Sequence, residues 1–310
     1  MTAGYTAVRD GGAGLIDLSE RGRIRVSGSE ATMFLNGLVT NDVKSLAENR
    51  WMPAAFPTVQ GRLIGAVRVA RLKDGFLIDT ERASHDAVLK TISRFTMAGD
   101  FRVADDTDEG TMLSLQGRRA GEIVGKVLKA IVADLKRDEV SELEGVTVIR
   151  ATHTAEDGFD LVVDSGRADE LRQALLDAGA TLVDQETFET LRIEAGIARF
   201  GVDMDETTVI PETNLDDAVS YSKGCYVGQE IIVRIKHRGH PAKKLVGLKA
   251  DGPIQPGAIV TSATVSPKAG NIGLGYVRYE LLEPGTSVIV DNGIEAMVTE
   301  LPFIRGSWYG

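Results

Sequence analysis

Alternating apolar and polar positions predict a strand and a tight turn in the first third of the chain. Between residues 60 and 72, apolar side chains fall on every second position, which is the period of a half-buried strand. Residues 73–75 (Lys-Asp-Gly) predict a turn, and residues 76–79 return as a second strand. Ser84 is the predicted cap of a following helix with one apolar face.

Strand and helix patterns continue to alternate in the middle of the chain. Residues 113–117 and 159–164 predict strands, whereas residues 168–178 and 187–199 predict helices. Neither of the two glycine-rich phosphate-binding loop patterns is present in the sequence. The pattern favours an α+β fold built from ferredoxin-like modules over a nucleotide-binding sheet.

The pattern changes after Pro241, where short apolar runs are separated by Pro-Gly and Asn-Gly turns. Asn292-Gly293 is a strong hairpin signal. These features predict a small C-terminal antiparallel β-barrel of residues 241–310. We expect residues 1–240 to form two intertwined α+β modules, one of them near residues 50–140.

The composition is that of an ordinary globular protein, with 43% hydrophobic and 26% charged residues. No stretch approaches the ~20 apolar residues of a membrane span, and the N-terminus has no apolar core of signal-peptide length. A single cysteine excludes an internal disulfide. We therefore expect a soluble cytoplasmic protein without membrane contact.

The four histidines do not predict a metal site. Only His237 and His240 are close in sequence, and no carboxylate or thiol adjoins them to complete a ligand set. We favour solvated or phosphate-facing histidines over a metal-binding pair.

One stretch combines the only cysteine with flanking glycines and a predicted helix start. Because residues 229–235 can open a helix, Cys225 would lie near unpaired backbone N–H groups that favour a thiolate. The alternative interpretation is a small buried hydrophobe, which is the commoner environment of a lone cysteine. The motif residues are Lys223, Gly224, Cys225, Tyr226, Gly228, Gln229 and Glu230.

A basic segment follows the motif in a chain whose formal net charge is -10. No acidic residue occurs between Glu230 and Asp251. This local reversal of charge favours an anionic small ligand or a local nucleic-acid contact over extensive coating of a nucleic acid. The cations are Arg234, Lys236, Arg238, Lys243 and Lys244.

The motif Lys-Gly-Cys-Tyr-x-Gly-Gln-Glu resembles the signature of the YgfZ-type folate-binding proteins, which are relatives of the glycine-cleavage T-protein (aminomethyltransferase). The resemblance implies a tetrahydrofolate-binding protein that supports assembly or repair of iron–sulfur clusters in client enzymes, including enzymes that modify tRNA. The likeness extends over nearly the whole chain, through residues 40–43, 191–196, 211–216, 266–267 and 271–277. It implies a T-protein-like folate-binding fold.

The resemblance also assigns roles to individual residues. Glu194 would hold the pterin ring of tetrahydrofolate or a one-carbon derivative, and Asn41 would lie near the folate. Arg234 would meet the carboxylates of the folate tail. From residue type alone, Asn41 would be an ordinary turn residue. Glu194 would form an ion pair with a neighbouring arginine on the surface. Cys225 would be the functional thiol beside the ligand.

One stretch departs from the aminomethyltransferases. Those enzymes carry a pair of aspartates on the strand after a glycine turn, and Gly65 and Ala66 stand at the matching positions here. Neither residue can transfer a proton. Two other readings stay open: an aminomethyl- or methyltransferase with another base, such as Asp79 or Asp42, and a module that contacts tRNA through its basic segment.

Overall fold

The computed structural model describes residues 1–97, 99–291 and 293–310. Short 3-10 turns lie at residues 43–45, 165–167, 210–212, 216–218, 279–281 and 307–309. The helices are α1 (Ala3–Arg9), α2 (Ala31–Leu38), α3 (Arg82–Ser93), α4 (Ala120–Leu128), α5 (Ala168–Asp177), α6 (Gln185–Glu194) and α7 (Gln229–Arg238). The strands are β1 (Gly14–Asp17), β2 (Gly22–Ser27), β3 (Arg50–Pro57), β4 (Leu63–Leu72), β5 (Gly75–Thr80), β6 (Arg102–Asp105), β7 (Gly110–Gln116), β8 (Val140–Leu143), β9 (Val146–Arg150), β10 (Gly158–Asp164), β11 (Thr181–Leu182), β12 (Lys243–Ala250), β13 (Val260–Ser266), β14 (Gly270–Arg278), β15 (Ser287–Ile289) and β16 (Glu295–Thr299).

The strands form three sheets. The first sheet has the order β11-β1-β7-β10-β9-β8, the second β3-β4-β5-β2-β6 and the third β13-β14-β12-β16-β15. Only the β1–β11 pair is parallel among the described strand pairs. The prediction of a protein that mixes helices with mainly antiparallel strands is confirmed, while the ferredoxin-like type of its modules stays a prediction.

The first two sheets are interleaved along the chain and each is covered by helices. Apolar residues of α4 and α5 pack on the first sheet, around Phe159 and Leu161. Apolar residues of α2 and α3 pack on the second sheet, around Phe56 and Ile78. A third apolar cluster joins Leu72 and neighbouring residues of the second sheet to strands β8 and β9 of the first. The two sheets therefore contact each other directly.

The predicted turn at residues 73–75 is observed between strands β4 and β5 of the second sheet. Strands β4 and β5 pair antiparallel up to Leu72 and Gly75, as the alternating pattern indicates. The helix after them begins at Arg82 rather than at a Ser84 cap, and Ser84 lies inside it. Residues 50–140, predicted as one module, contribute strands to both sheets, and the predicted boundary after residue 240 stays a prediction.

The third sheet differs from the predicted C-terminal barrel. Strands β13 and β15 are its two edges, and no pairing between described residues closes it. It is an open antiparallel sheet with an apolar core around Leu248 and Val260. Of the predicted Asn292-Gly293 hairpin, Asn292 lies outside the described residues. None of the described helices is long and apolar enough to cross a membrane.

Candidate functional site

A cavity of about 720 Å³ opens where the first and second sheets meet α6. Its walls are the β1–β2 turn (residues 17–21), the start of α3 (residues 81–83), His153, one face of α6 and residues 197–202. The volume lies in the ~300–1,000 Å³ range of small-molecule sites. Phe188 of α6 supplies an apolar wall, and its ring meets the His153 ring edge-on at 6.4 Å. The cavity thus combines aromatic surface with charged side chains.

A chain of buried charges runs beneath one wall of this cavity. The Arg68 guanidinium of β4 contacts Asp79 of β5 and Asp160 of β10, each at 2.7 Å. Asp79 also accepts from Arg21 at 2.7 Å, and Asp160 lies 2.9 Å from the His153 imidazole. Arg21 in turn pairs with Glu81. Since Arg21, Glu81 and His153 line the cavity, the network ends at the cavity on both sides.

The network shifts the pKa of two of its members, Asp160 and Arg21. Burial by itself raises the pKa of Asp160, but the charges of His153 and Arg68 outweigh it and hold that pKa well below its usual range. Burial likewise lowers the pKa of Arg21, and the Asp79 and Glu81 carboxylates overcome this and raise it. At neutral pH the Asp160 carboxyl is therefore ionised and the Arg21 guanidinium is protonated.

Strand β4 carries Gly65 and Ala66, the two positions where the resemblance implied an acidic pair. Gly65 faces α3, where an added Cβ would lie 2.8 Å from Val88 and 2.9 Å from Ser84. Ala66 points to the opposite face and packs against an apolar cluster that contains Phe200 and Tyr226. Gly65 is therefore closely packed and Ala66 is half-buried, and neither presents a proton-transferring group.

Glu194 does not face a cleft. Its side chain has no exposed surface, and its carboxylate pairs with Arg9 of α1 at 2.7 Å. Tyr5 donates to it at 2.6 Å, and the Ser266 hydroxyl of β13 donates as well. The predicted helix to residue 199 ends at Glu194, because Gly196 turns the chain with a φ of 67°. Glu194 thus joins α6 to α1 and the third sheet, and its role as pterin ligand stays a prediction.

Cys225 is exposed to solvent, so the interpretation as a buried hydrophobe is wrong. It lies four residues before α7, and Gly228 occupies the cap position of that helix with a φ of 77°. An added Cβ on Gly228 would lie 2.3 Å from the Thr58 carbonyl oxygen, so only glycine fits there. Tyr226 points inward, with 7% of its surface exposed.

The side chains of Lys223 and Asn41 donate hydrogen bonds to backbone carbonyl oxygens. The Lys223 ammonium donates to the carbonyl oxygens of Asn36, Val39 and Asn41. The Asn41 side chain donates to the carbonyls of Pro53 and Asp217, at 2.8 Å and 3.0 Å. These contacts join the residue 40–43 loop to the motif, and the turn interpretation of Asn41 accounts for its geometry.

The basic segment lies on the surface of α7 and at the start of β12. Arg234 and Arg238 are exposed and have no acidic partner within the described part of the chain. Asp216 pairs with both Lys236 (3.7 Å) and Lys244 (3.2 Å). No group of three or more potential metal-binding side chains occurs among the described residues.

The structure does not bring the predicted ligand residues together in the cavity. Neither Glu194, Arg234, Asn41 nor Cys225 is among the described residues that line it. The motif instead lies behind Phe200, which lines the cavity and packs in the same apolar cluster as the motif residue Tyr226. Reasoning from sequence missed His153, Asp160 and Arg68. The available signal for Arg68 and Asp160 was a charged residue inside a mainly apolar strand, and it did not extend to His153.

Comparison with known proteins gives a family match over residues 1–223, to the GCVT N-terminal domain. The aminomethyltransferase of Rubrobacter xylanophilus is 33% identical over 98% of this chain and 86% of the relative. The aminomethyltransferase of Halothermothrix orenii is 30% identical over 97% and 90%. The crystal structure of glycine cleavage system aminomethyltransferase T from Bartonella henselae covers 97% of this chain and 88% of its own, with a TM-score of 0.90 at 24% identity. This likeness confirms the predicted T-protein-like fold, and the chain belongs to the GCVT family as a relative of the glycine-cleavage T-protein.

Proposed function

We propose that the protein binds tetrahydrofolate, or a one-carbon derivative of it, in the cavity between the first two sheets and α6. The observation that carries this proposal is the lining of that cavity by the Phe188 ring, the His153 imidazole and several guanidinium groups, in a chain of the GCVT family. The aminomethyltransferase relatives make a folate the ligand class to test first.

The residues of the cavity fit such a ligand. A reduced folate has a flat heteroaromatic ring with donors and acceptors on its edge and carboxylates at its tail. Phe188 offers an apolar surface for the ring, and His153 is a polar group beside it. Arg199 is part-exposed, and its one ion pair within the described residues is a 3.3 Å contact with Glu189, so its guanidinium has further donors to offer a carboxylate.

Within this family, we infer a YgfZ-type role in iron–sulfur cluster assembly or repair rather than aminomethyl transfer. The inference rests on the motif around Cys225 and on Gly65 and Ala66, which offer no acid or base. Client enzymes would contain iron–sulfur clusters and would include enzymes that modify tRNA. Cys225, exposed at the surface, would be the functional thiol.

We further propose that Glu194, Asn41 and Arg234 take part in folate binding from positions outside the lining of this cavity. Glu194 would support binding by fixing α6, whose Phe188 lines the cavity. Asn41 would support the loop that contacts the motif. Arg234 would meet an anionic group at the surface of α7.

The second candidate function is that of the named relatives, a folate-dependent aminomethyl- or methyltransferase. It requires another base. Asp79 is a weak candidate because Arg21 and Arg68 both pair with it, and Asp42 caps a short 3-10 turn. Turnover of an aminomethylated donor in the presence of tetrahydrofolate would decide for this function.

A local contact of the α7 surface with tRNA is a further proposal. The contact would use the basic residues from Arg234 to Lys244, of which Arg234, Lys236 and Arg238 are exposed on α7, and the acidic total charge would limit it to this face. A steep dependence of tRNA affinity on salt concentration would support it.

The proposed function is tested by what the native protein carries. Absorbance spectra and mass spectrometry of protein purified without denaturation should identify a bound reduced folate. The Phe188→Ala variant, purified in parallel, should carry less of this folate. A different small molecule bound to the wild type would contradict the proposal.

A further inference from the structure

The first residue of the cysteine motif is a buried cation. Lys223 has 8% of its surface exposed, and its ammonium donates to three carbonyl oxygens: those of Asn36 at 2.6 Å, Val39 at 2.9 Å and Asn41 at 2.6 Å. An ammonium group has three N–H donors and no acceptor. Donors and acceptors therefore match one to one.

The three carbonyls lie at the C-terminal end of α2. Asn36 belongs to its last turn, Val39 is its C-cap, and Asn41 lies two residues beyond the cap. The last carbonyls of a helix have no partner within the helix and carry the negative end of its dipole. Lys223 thus satisfies these groups from another part of the chain.

Two backbone hydrogen bonds flank this contact. The Ser220 amide donates to the Thr40 carbonyl at 3.0 Å, and the Val227 amide donates to the Gly37 carbonyl at 3.2 Å. Lys223 lies between these amides in sequence, and so does the exposed Cys225. The loop that carries the thiol is therefore attached to α2 at three points, of which Lys223 is the charged one.

We propose that Lys223 is a positioning residue, which fixes the loop of Cys225 against the C-terminal end of α2 and so sets where the thiol stands. Lys223 contacts no ligand in this role. The proposal rests on the proposed function only in taking Cys225 as the functional thiol.

The charge of Lys223 gives this role a signature in its pH dependence. The groups that face the ammonium are the Asp42 carboxylate, the Lys44 ammonium and the Tyr226 ring, whose centroid is 5.0 Å away. Burial lowers the pKa of Lys223 to about 8, Asp42 opposes this shift, and Lys44 adds to it. When the loop opens, Lys223 returns to its ordinary pKa of about 10.4 and binds its proton more tightly. Opening should therefore become rarer as pH rises through this window.

Amide hydrogen exchange of the native full-length protein tests the proposal. Protection factors for Ser220 and Val227, corrected for intrinsic exchange, would be compared at about pH 7 and about pH 9.5. In the wild type they should rise severalfold with pH. Lys223→Met should lower them about tenfold at the lower pH, because three buried carbonyls lose their donor, and should remove the pH dependence. Lys249→Met, an exposed lysine of β12, should behave as the wild type.

Equal protection in Lys223→Met and the wild type would overturn the proposal. So would wild-type protection that stays constant with pH, a result that decides even if the variant does not fold. Folate binding would be measured on the same proteins. If the wild type binds no folate while the exchange results hold, the proposed function fails and the positioning role stands.

Discussion

Arg68 and Asp160 form a buried ion pair, 2.7 Å long, that joins β4 of the second sheet to β10 of the first. The Asp160 side chain has no exposed surface, and Arg68 is 9% exposed. Burying two charges is costly, and further polar contacts of the two partners offset part of that cost. Asp79 is a second acidic partner of Arg68, and His153 contacts Asp160, while the Arg68 Nε has no hydrogen-bond partner among the described residues. The pair therefore sets how the two sheets meet beside the cavity.

Replacing Asp160 with asparagine should lower the free energy of unfolding by about 3 kcal/mol or more, because Arg68 loses one of its two buried partners. Urea unfolding at neutral pH measures this change. The matched control is Asp164→Asn, at the exposed end of the same strand, where we expect a change within about 0.5 kcal/mol. Equal small effects in both variants would show that the pair does not hold the sheets together.

The same variant should alter the response to acid. The pKa of Asp160 is lower in the folded than in the unfolded state, so the unfolded state binds more protons in the acid range. The stabilisation is therefore fully present above the unfolded pKa of about 3.9 and is lost as pH falls below it. The wild type should lose stability more steeply than Asp160→Asn on acidification. If the unfolding free energies of the wild type and Asp160→Asn fall equally with pH, the lowered pKa of Asp160 in the folded state is contradicted.

Glu194→Ala should both destabilise the protein and abolish tetrahydrofolate binding. The expected loss of stability is about 3–5 kcal/mol, because Arg9 loses one of the two acidic partners that it has among the described residues, Glu194 and Glu156. Glu186→Ala, on the exposed first turn of α6, is the control. Glu194→Gln separates folding from binding, since it keeps the shape of the side chain. A folded Glu194→Gln protein with an unchanged calorimetric titration would show that Glu194 does not support folate binding.

Gly65→Ala should destabilise the protein by about 1–3 kcal/mol, because its methyl group would meet Val88 and Ser84 at under 3.0 Å. Gly37→Ala should be neutral or stabilising by up to about 1 kcal/mol, since Gly37 lies within α2 and faces open space. Thermal unfolding of the two variants provides the comparison. If Gly65→Ala is as stable as the wild type, packing against α3 does not explain this glycine.

Cys225→Ala should impair the cellular role and leave the fold intact. The thiol is exposed, so we expect a change in unfolding free energy within about 0.5 kcal/mol. The readout is the activity of iron–sulfur enzymes in cells that carry only the variant. Ser222→Ala, a neighbouring exposed position, should show no defect. If Cys225→Ala unfolds the protein, the cysteine has a structural role instead.

Local patterns predicted the elements of this fold better than its contacts. The hairpin of β4 and β5 and the start of α7 follow from period and turn residues, which act over a few positions. The end of α6 was predicted too late in the chain, because the apolar spacing continues to Ala198 while Gly196 already ends the helix. The third sheet was predicted as a barrel because strand spacing does not state whether the edges pair.

The candidate site was predictable only in part. The motif marked an exposed thiol and a helix start, but Lys223 turned inward to α2, a partner 182 or more residues away in sequence. The role of Glu194 in joining three elements depends on Arg9 and Ser266, which no local pattern connects to it. His153 and Asp160 belong to the site because two sheets meet there, and this meeting is set by tertiary packing.

The measurement that tests the central claim most directly is a calorimetric titration of tetrahydrofolate into the wild type, Arg199→Ala and Arg278→Ala. Arg199 lines the cavity, whereas Arg278 is an exposed arginine at the end of β14. We predict saturable one-to-one binding by the wild type and by Arg278→Ala, and an affinity about tenfold lower for Arg199→Ala, because a charged hydrogen bond to the folate tail is lost. Absence of binding by the folded wild type, or equal affinities in all three proteins, would contradict the claim that this cavity holds the folate.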